Sequence, residues 1–88
     1  MAYREVVDRI VISPNDLVIT REDLDMKKIA TMVAGLLEGT LCVEELTMPM
    51  ITPMRGGGYM VGDGNHSVTA MKMAHISQVE CEVYKLRG

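Results

Sequence analysis

The stretch from Tyr59 to Ala70 constrains this chain more than any other. A short apolar strand, Tyr59-Met60-Val61, passes through Gly62-Asp63-Gly64 directly into a helix. Backbone N–H groups in the first turn of such a helix have no intrahelical partner, and the dipole there favours an anion. Gly62 and Gly64 let the backbone approach a ligand closely and tolerate positive φ. Asn65, His66 and Ser67 add an amide, an imidazole and a hydroxyl beside the same pocket. Together these features read as a phosphate cradle. His66 is suited to donate to a phosphate or to serve as a general acid or base. Asp63 is suited to hold Mg²⁺ through water or to take a proton from a hydroxyl nucleophile. The same residues also have an ordinary structural use, because Asp-Gly is a common turn pair and Asn or Ser a common helix cap.

The flanking patterns set what surrounds this segment. Val6 to Ile12 is rich in β-branched residues and reads as a strand closed by Ser13-Pro14-Asn15-Asp16, with a short extended piece at Leu17-Val18-Ile19. Thr20-Arg21-Glu22-Asp23 has the form of a helix start, a Thr cap followed by acidic residues. Leu24, Ile29, Met32, Val33, Leu36 and Leu37 recur at near-helical spacing, which predicts a helix over about Asp23 to Glu38 with Gly39 as C-cap. Met48 to Thr52 and Tyr59 to Val61 flank Arg55-Gly56-Gly57-Gly58 and predict a hairpin, with Pro49 at the first strand's start or on an edge. A second helix is expected over about His66 to His75, turning Val68, Met71 and Ala74 inward. Val79 to Leu86 alternates as a half-buried strand. The order strand, helix, hairpin, helix, strand gives an α+β (mixed α/β) class, a short mixed sheet with two main helices in one domain spanning residues 1–88.

Size and charge narrow the function classes. A chain of 88 residues has room for one small core, and with three Tyr and neither Trp nor Phe that core is filled by Ile, Leu, Val and some of the nine Met. A core of this size gains from a bound ligand or a partner subunit. Nine Lys and Arg, scattered among twelve Asp and Glu, leave a net charge of −3, so autonomous DNA binding is disfavoured for want of a basic face. The longest apolar run, Met32 to Leu37, is far short of the about 20 residues of a membrane span. Charges at Arg4, Glu5, Asp8 and Arg9 spoil any signal-peptide core, and a cytoplasmic location with no membrane partner is expected. Cys42 and Cys81 are distant in sequence and read as two buried or half-buried thiols. With His66 and His75 they lack the short-paired spacing of a zinc site, so no zinc is expected.

The segment GYMVGDGNHSVTAMKMAHISQVECEVYKL resembles the core of the ParB/sulfiredoxin-like superfamily, whose small ParB-like members carry a strand–DGxHR–helix element. Asp63, Gly64, Asn65, His66 and Ala70 match that pattern as a DGNH motif, and Ile76 with Val79 to Val83 fits the strand that follows. Ile12-Ser13-Pro14-Asn15-Asp16-Leu17 resembles the family's opening, Leu36-Leu37-Glu38-Gly39 its helix end, and Pro49-Met50-Ile51-Thr52 its next strand. The resemblance loosely covers nearly the whole chain. It implies a compact domain whose loop binds nucleotide phosphates, with Gly62, Gly64, Asn65, His66 and Ser67 around the ligand. Arg21 stands where some relatives direct a basic residue at phosphate; a solvated residue in a first helical turn is the alternative. Relatives use the loop for CTP binding in chromosome partitioning, ATP-dependent sulfinic-acid reduction, free-serine phosphorylation and reported nuclease activity.

Two departures matter. The residue after the His, normally Arg, is Ser67, which removes the guanidinium fork suited to phosphate. Sulfiredoxins place a Cys where this chain has Asn65, which argues against that chemistry. A partition protein would also need further domains beyond Gly88. Three readings follow. One is a minimal ParB-like domain that binds a nucleotide or other phosphorylated small molecule, with Mg²⁺ accompanying the nucleotide. Another is a degenerate member, such as a small phage or plasmid regulator, acting as a protein-interaction module without nucleotide binding. The third is a Mg²⁺-dependent phosphotransferase or nuclease with Asp63 and His66 as catalytic residues. Glu44-Glu45 lies in a loop able to face the motif, and His75 suits a helix C-terminus. Met48, Met50, Met54 and Met60 alternate around the hairpin, so some should face outward, which suggests a protein partner or a homodimer through that Met-rich surface.

Overall fold

Val79, Cys81 and Val83 point to one side of a strand whose alternate residues include Glu80 and Glu82, and that two-residue rhythm places the core on one face of a sheet. The computed structural model describes residues 2–88. The sheet has five strands: β1 (Tyr3–Ile12), β2 (Leu17–Val18), β3 (Met50–Pro53), β4 (Tyr59–Asp63) and β5 (Val79–Arg87). Their order is β1-β5-β3-β4-β2. β1 with β5 and β3 with β4 are antiparallel; β2 with β4 and β3 with β5 are parallel. The two helices are α1 (Met26–Glu38) and α2 (Asn65–Met73). The chain is therefore an α+β fold with a mixed sheet.

One apolar cluster joins these elements. Leu17, Ile51, Val61, Val79, Cys81 and Val83 from the strands meet Val68 and Met71 from α2. Ala74 is buried with them, so all three residues expected on the inner face of that helix are inside. α1 packs beside α2, burying Ile29 completely while Leu36 touches the cluster and Leu37 faces solvent. Met71 is core filler, Met32, Met48, Met50 and Met54 are half-buried, and Met60 is exposed. Among the described residues no helix is long and apolar enough to cross a membrane.

Several boundaries differ from the sequence reading. α1 starts at Met26 rather than near Asp23, and its cap is Asp25 rather than Thr20. The Asp25 carboxylate accepts from the N–H groups of Lys27 and Lys28 at 3.1 and 3.2 Å, whereas the Thr20 hydroxyl is spent on Val61 O. β1 begins at Tyr3, three residues early, because pairing with β5 continues to Tyr3↔Arg87 past a bulge between Val6 and Asp8. On this edge strand Tyr3 and Arg4 are exposed, and charge is tolerated there. The hairpin forms as expected, closed by Met54 N–H to Gly58 O at 2.9 Å. α1 ends at Gly39 with φ 80°, the left-handed cap its sequence implied. α2 stops at Met73, before His75, which takes φ 59°. His75 N–H then reaches Lys72 O and Ile76 N–H reaches Met71 O, the paired bonds of a Schellman turn.

Candidate functional site

The strand–turn–helix segment lies where expected, and each of its residues is now given a specific task. Gly64 sits at φ 95°, and a side chain there would crowd Pro49, whose Cα lies 3.3 Å from the Cβ position. Both the backbone and the space demand glycine. Gly62, in contrast, has ordinary strand geometry and no need of positive φ. A Cβ at Gly62 would overlap the Tyr84 hydroxyl and lie 2.6 Å from the ring carbons Cε1 and Cζ. Its missing side chain admits the Tyr84 ring, over which the Arg4 guanidinium stacks at 4.8 Å while donating to Gly62 O at 3.2 Å. The positive φ expected at Gly62 is therefore absent, and Tyr84 already accounts for the glycine, which also lines the cleft at the start of α2.

Beyond Gly64 the helix has no side-chain cap. The Asp63 carboxylate accepts from Gly64 N–H at 3.1 Å, and the first turn closes with Val68 N–H to Gly64 O at 2.9 Å. The N–H groups of Asn65, His66 and Ser67 are thus left without helical acceptors, as at any helix start. They border a cleft of about 670 Å³. Arg21, Asp23, Asp25 and Lys28 line it from the β2–α1 connection and α1, Glu45, Leu46 and Thr47 from the following loop, and Gly62 to Ser67 from the motif. All the sequence-named ligand residues, Arg21 included, therefore meet in one place. Ser67 is buried at the cleft floor, with 6% of its surface exposed.

Two motif side chains are already engaged. Asn65 Oδ1 accepts from Thr20 N–H at 3.1 Å, and His66 Nε2 accepts from Asp25 N–H at 2.9 Å. An imidazole accepting at Nε2 is neutral and carries its proton on Nδ1. Both side chains, amide and imidazole, thereby also serve as joints to the β2–α1 connection. Arg21 is paired with Asp23, Nε to Oδ1 2.9 Å, in solvent. The hydrogen bond from Arg21 lowers the Asp23 pKa, and the same bond raises that of Arg21.

Charge around the cleft is mixed. Arg21 and Lys28 face the carboxylates of Asp23, Asp25, Glu45 and Asp63, so the lining is acidic on balance. Glu44 turns away, into a second and more apolar cavity of about 490 Å³ beside Cys42, Met48, Met71 and Val79. Among the described residues no three His, Cys, Asp or Glu side chains gather to hold a metal ion. Asp63 offers one carboxylate, one oxygen of which accepts from Gly64 N–H. Lys28 and Asp25 escaped the sequence reading. Only the packing of α1 against α2 brings their helix start beside the motif, although Asp25 ahead of Met26-Lys27-Lys28 is a legible cap.

Searches against protein-family models, curated proteins and solved structures find no match to this chain.

Proposed function

We propose that this chain is a small ParB-like domain that binds a nucleotide or another phosphorylated small molecule in the cleft at the start of α2. The observation that carries this reading is the uncapped first turn of α2, opening on a cleft that Arg21 and Lys28 also line. Free N–H groups at a helix start hold an anion through several short bonds at once, and the dipole adds to them. Ser67 contributes a hydroxyl in place of the family's guanidinium. The carboxylate excess in the lining suits a nucleotide that brings its own Mg²⁺, chelated by its phosphates, better than a bare polyphosphate. A cytoplasmic setting accords with such a ligand. Turnover, with Asp63 and His66 as acid and base, would require the imidazole to leave Asp25 N–H, so binding is the reading favoured over transfer or nuclease chemistry.

A second reading, an interaction module without nucleotide binding, draws on the exposed apolar residues of the sheet, including Val6, Val11, Met60 and Leu86. Thermal-shift measurements with ATP, ADP, CTP and GTP, with and without Mg²⁺, separate the two. Saturation at 100 times Kd adds about 2.7 kcal/mol of stability, a readily measured shift for a domain this small. A shift that is reduced in Lys28→Glu supports the cleft. No shift with any nucleotide at millimolar concentration sinks the first reading and leaves the second.

A further inference from the structure

We infer that Asn65 and His66 are positioning residues that pin the segment Thr20 to Asp25 along one wall of the cleft as a strap, and that the His66 pin holds only while its imidazole is neutral. This deepens the ligand-binding reading and rests on it, because the strap carries Arg21 to the cleft and leads into the turn that carries Lys28.

The strap is fixed at both ends. At Thr20 the backbone N–H donates to Asn65 Oδ1 at 3.1 Å and the hydroxyl donates to Val61 O at 2.6 Å. At the other end Asp25 N–H donates to His66 Nε2 at 2.9 Å, one residue ahead of α1. Between them Arg21 and Asp23 form their exposed ion pair, and no core residue anchors positions 21–23. The two pins differ in kind. An amide oxygen accepts at every pH, whereas an imidazolium has N–H at both ring nitrogens and accepts at neither. Protonating His66 therefore sets a donor against the Asp25 donor and frees the α1 end, while the Thr20 end stays fastened. The charged groups that line the cleft with the ring are Arg21 and Asp23 on the strap, Asp25 and Lys28 at α1, Glu45 on the next loop and Asp63 at the end of β4. The carboxylates among them would attract the imidazolium once it has let go, favouring a turned-out ring. In this scheme acidification loosens the wall of the cleft without unfolding the sheet.

Hydrogen exchange of the ligand-free, ¹⁵N-labelled chain tests the device, with the His66 ring titration followed on the same samples. Protection factors correct for the intrinsic pH dependence of exchange. That of the Asp25 amide is expected to fall about five- to tenfold in step with the ring, while that of Thr20 holds. His66→Gln, which retains an acceptor, should keep Asp25 protected and remove the pH step; His66→Ala should lose protection at every pH. Asp25 protection that is unchanged through the ring's titration, or wild-type protection in His66→Ala, overturns the proposal. Adding inorganic phosphate afterwards tests the ligand reading separately: a strap that responds to pH in a protein whose first α2 amides ignore phosphate refutes the ligand and keeps the device.

Discussion

The Tyr84 ring lies where a side chain on Gly62 would have to be. The two residues are joined a second time through Arg4, which stacks on the ring and bonds the glycine carbonyl. Tyr84 is consequently 5% exposed although it alternates with the core-facing residues of its strand. Gly62→Ala should destabilise the fold by about 1–3 kcal/mol through overpacking, read as a lower urea midpoint. A variant of unchanged stability that had merely lost ligand affinity would return the glycine to the ligand.

His75 holds a left-handed conformation that costs a non-glycine residue about 1–2 kcal/mol. His75→Gly, with both Schellman bonds kept, should therefore raise stability by up to about 1 kcal/mol. Thermal denaturation at fixed pH checks it, and a drop in midpoint would mean that the imidazole makes a compensating contact.

Burial pushes the Cys81 thiol up from the ordinary value near 9 to about 11, with Glu80 adding to the effect. The folded state then keeps its proton over a range in which the unfolded chain has released it, so the unfolded state gains as pH rises. Stability should fall progressively between about pH 9 and pH 11. Cys81→Ala should show a shallower decline there, despite its lower starting stability. At pH 8 an alkylating reagent should label exposed Cys42 quickly and Cys81 only in denaturant.

Asp25→Ala removes the carboxylate that caps Lys27 and Lys28, and the expected loss is about 1 kcal/mol. Its backbone N–H to His66 remains. Amide exchange should therefore quicken in the first turn of α1 more than at Thr20. Equal quickening at both places would show that the cap and the strap act as one unit.

What could be read in advance follows the range over which each signal acts. The two helices, the hairpin and the final strand were legible because apolar spacing and glycine punctuation act locally. The start of α1 was misplaced because Thr20 with Glu22 and Asp23 imitates a cap, while the hydroxyl's real acceptor, Val61 O, belongs to a distant strand. β1 was read short for the same reason: only β5 supplies the partners that make Tyr3 to Glu5 extended. In the site, the motif and the helix it opens could be named beforehand, but not that the helix lacks a side-chain cap, since Asn65 and Ser67 were equally readable as caps. The bonds to Asn65 and His66 could not, since their donors, Thr20 and Asp25, enter through tertiary packing.

The sheet order also dictates when the molecule can exist. β5 lies between β1 and β3, so the strand translated after all the others is the one that holds the earliest in place. During synthesis Tyr3–Ile12 must wait, apolar side chains outward and backbone unpaired, until Val79–Arg87 has left the ribosome. Contacts of such long sequence separation close slowly. Arg4, Glu5, Asp8 and Arg9 place charge on the strand whose partner arrives latest, the kind of residue that guards an unpaired edge against association.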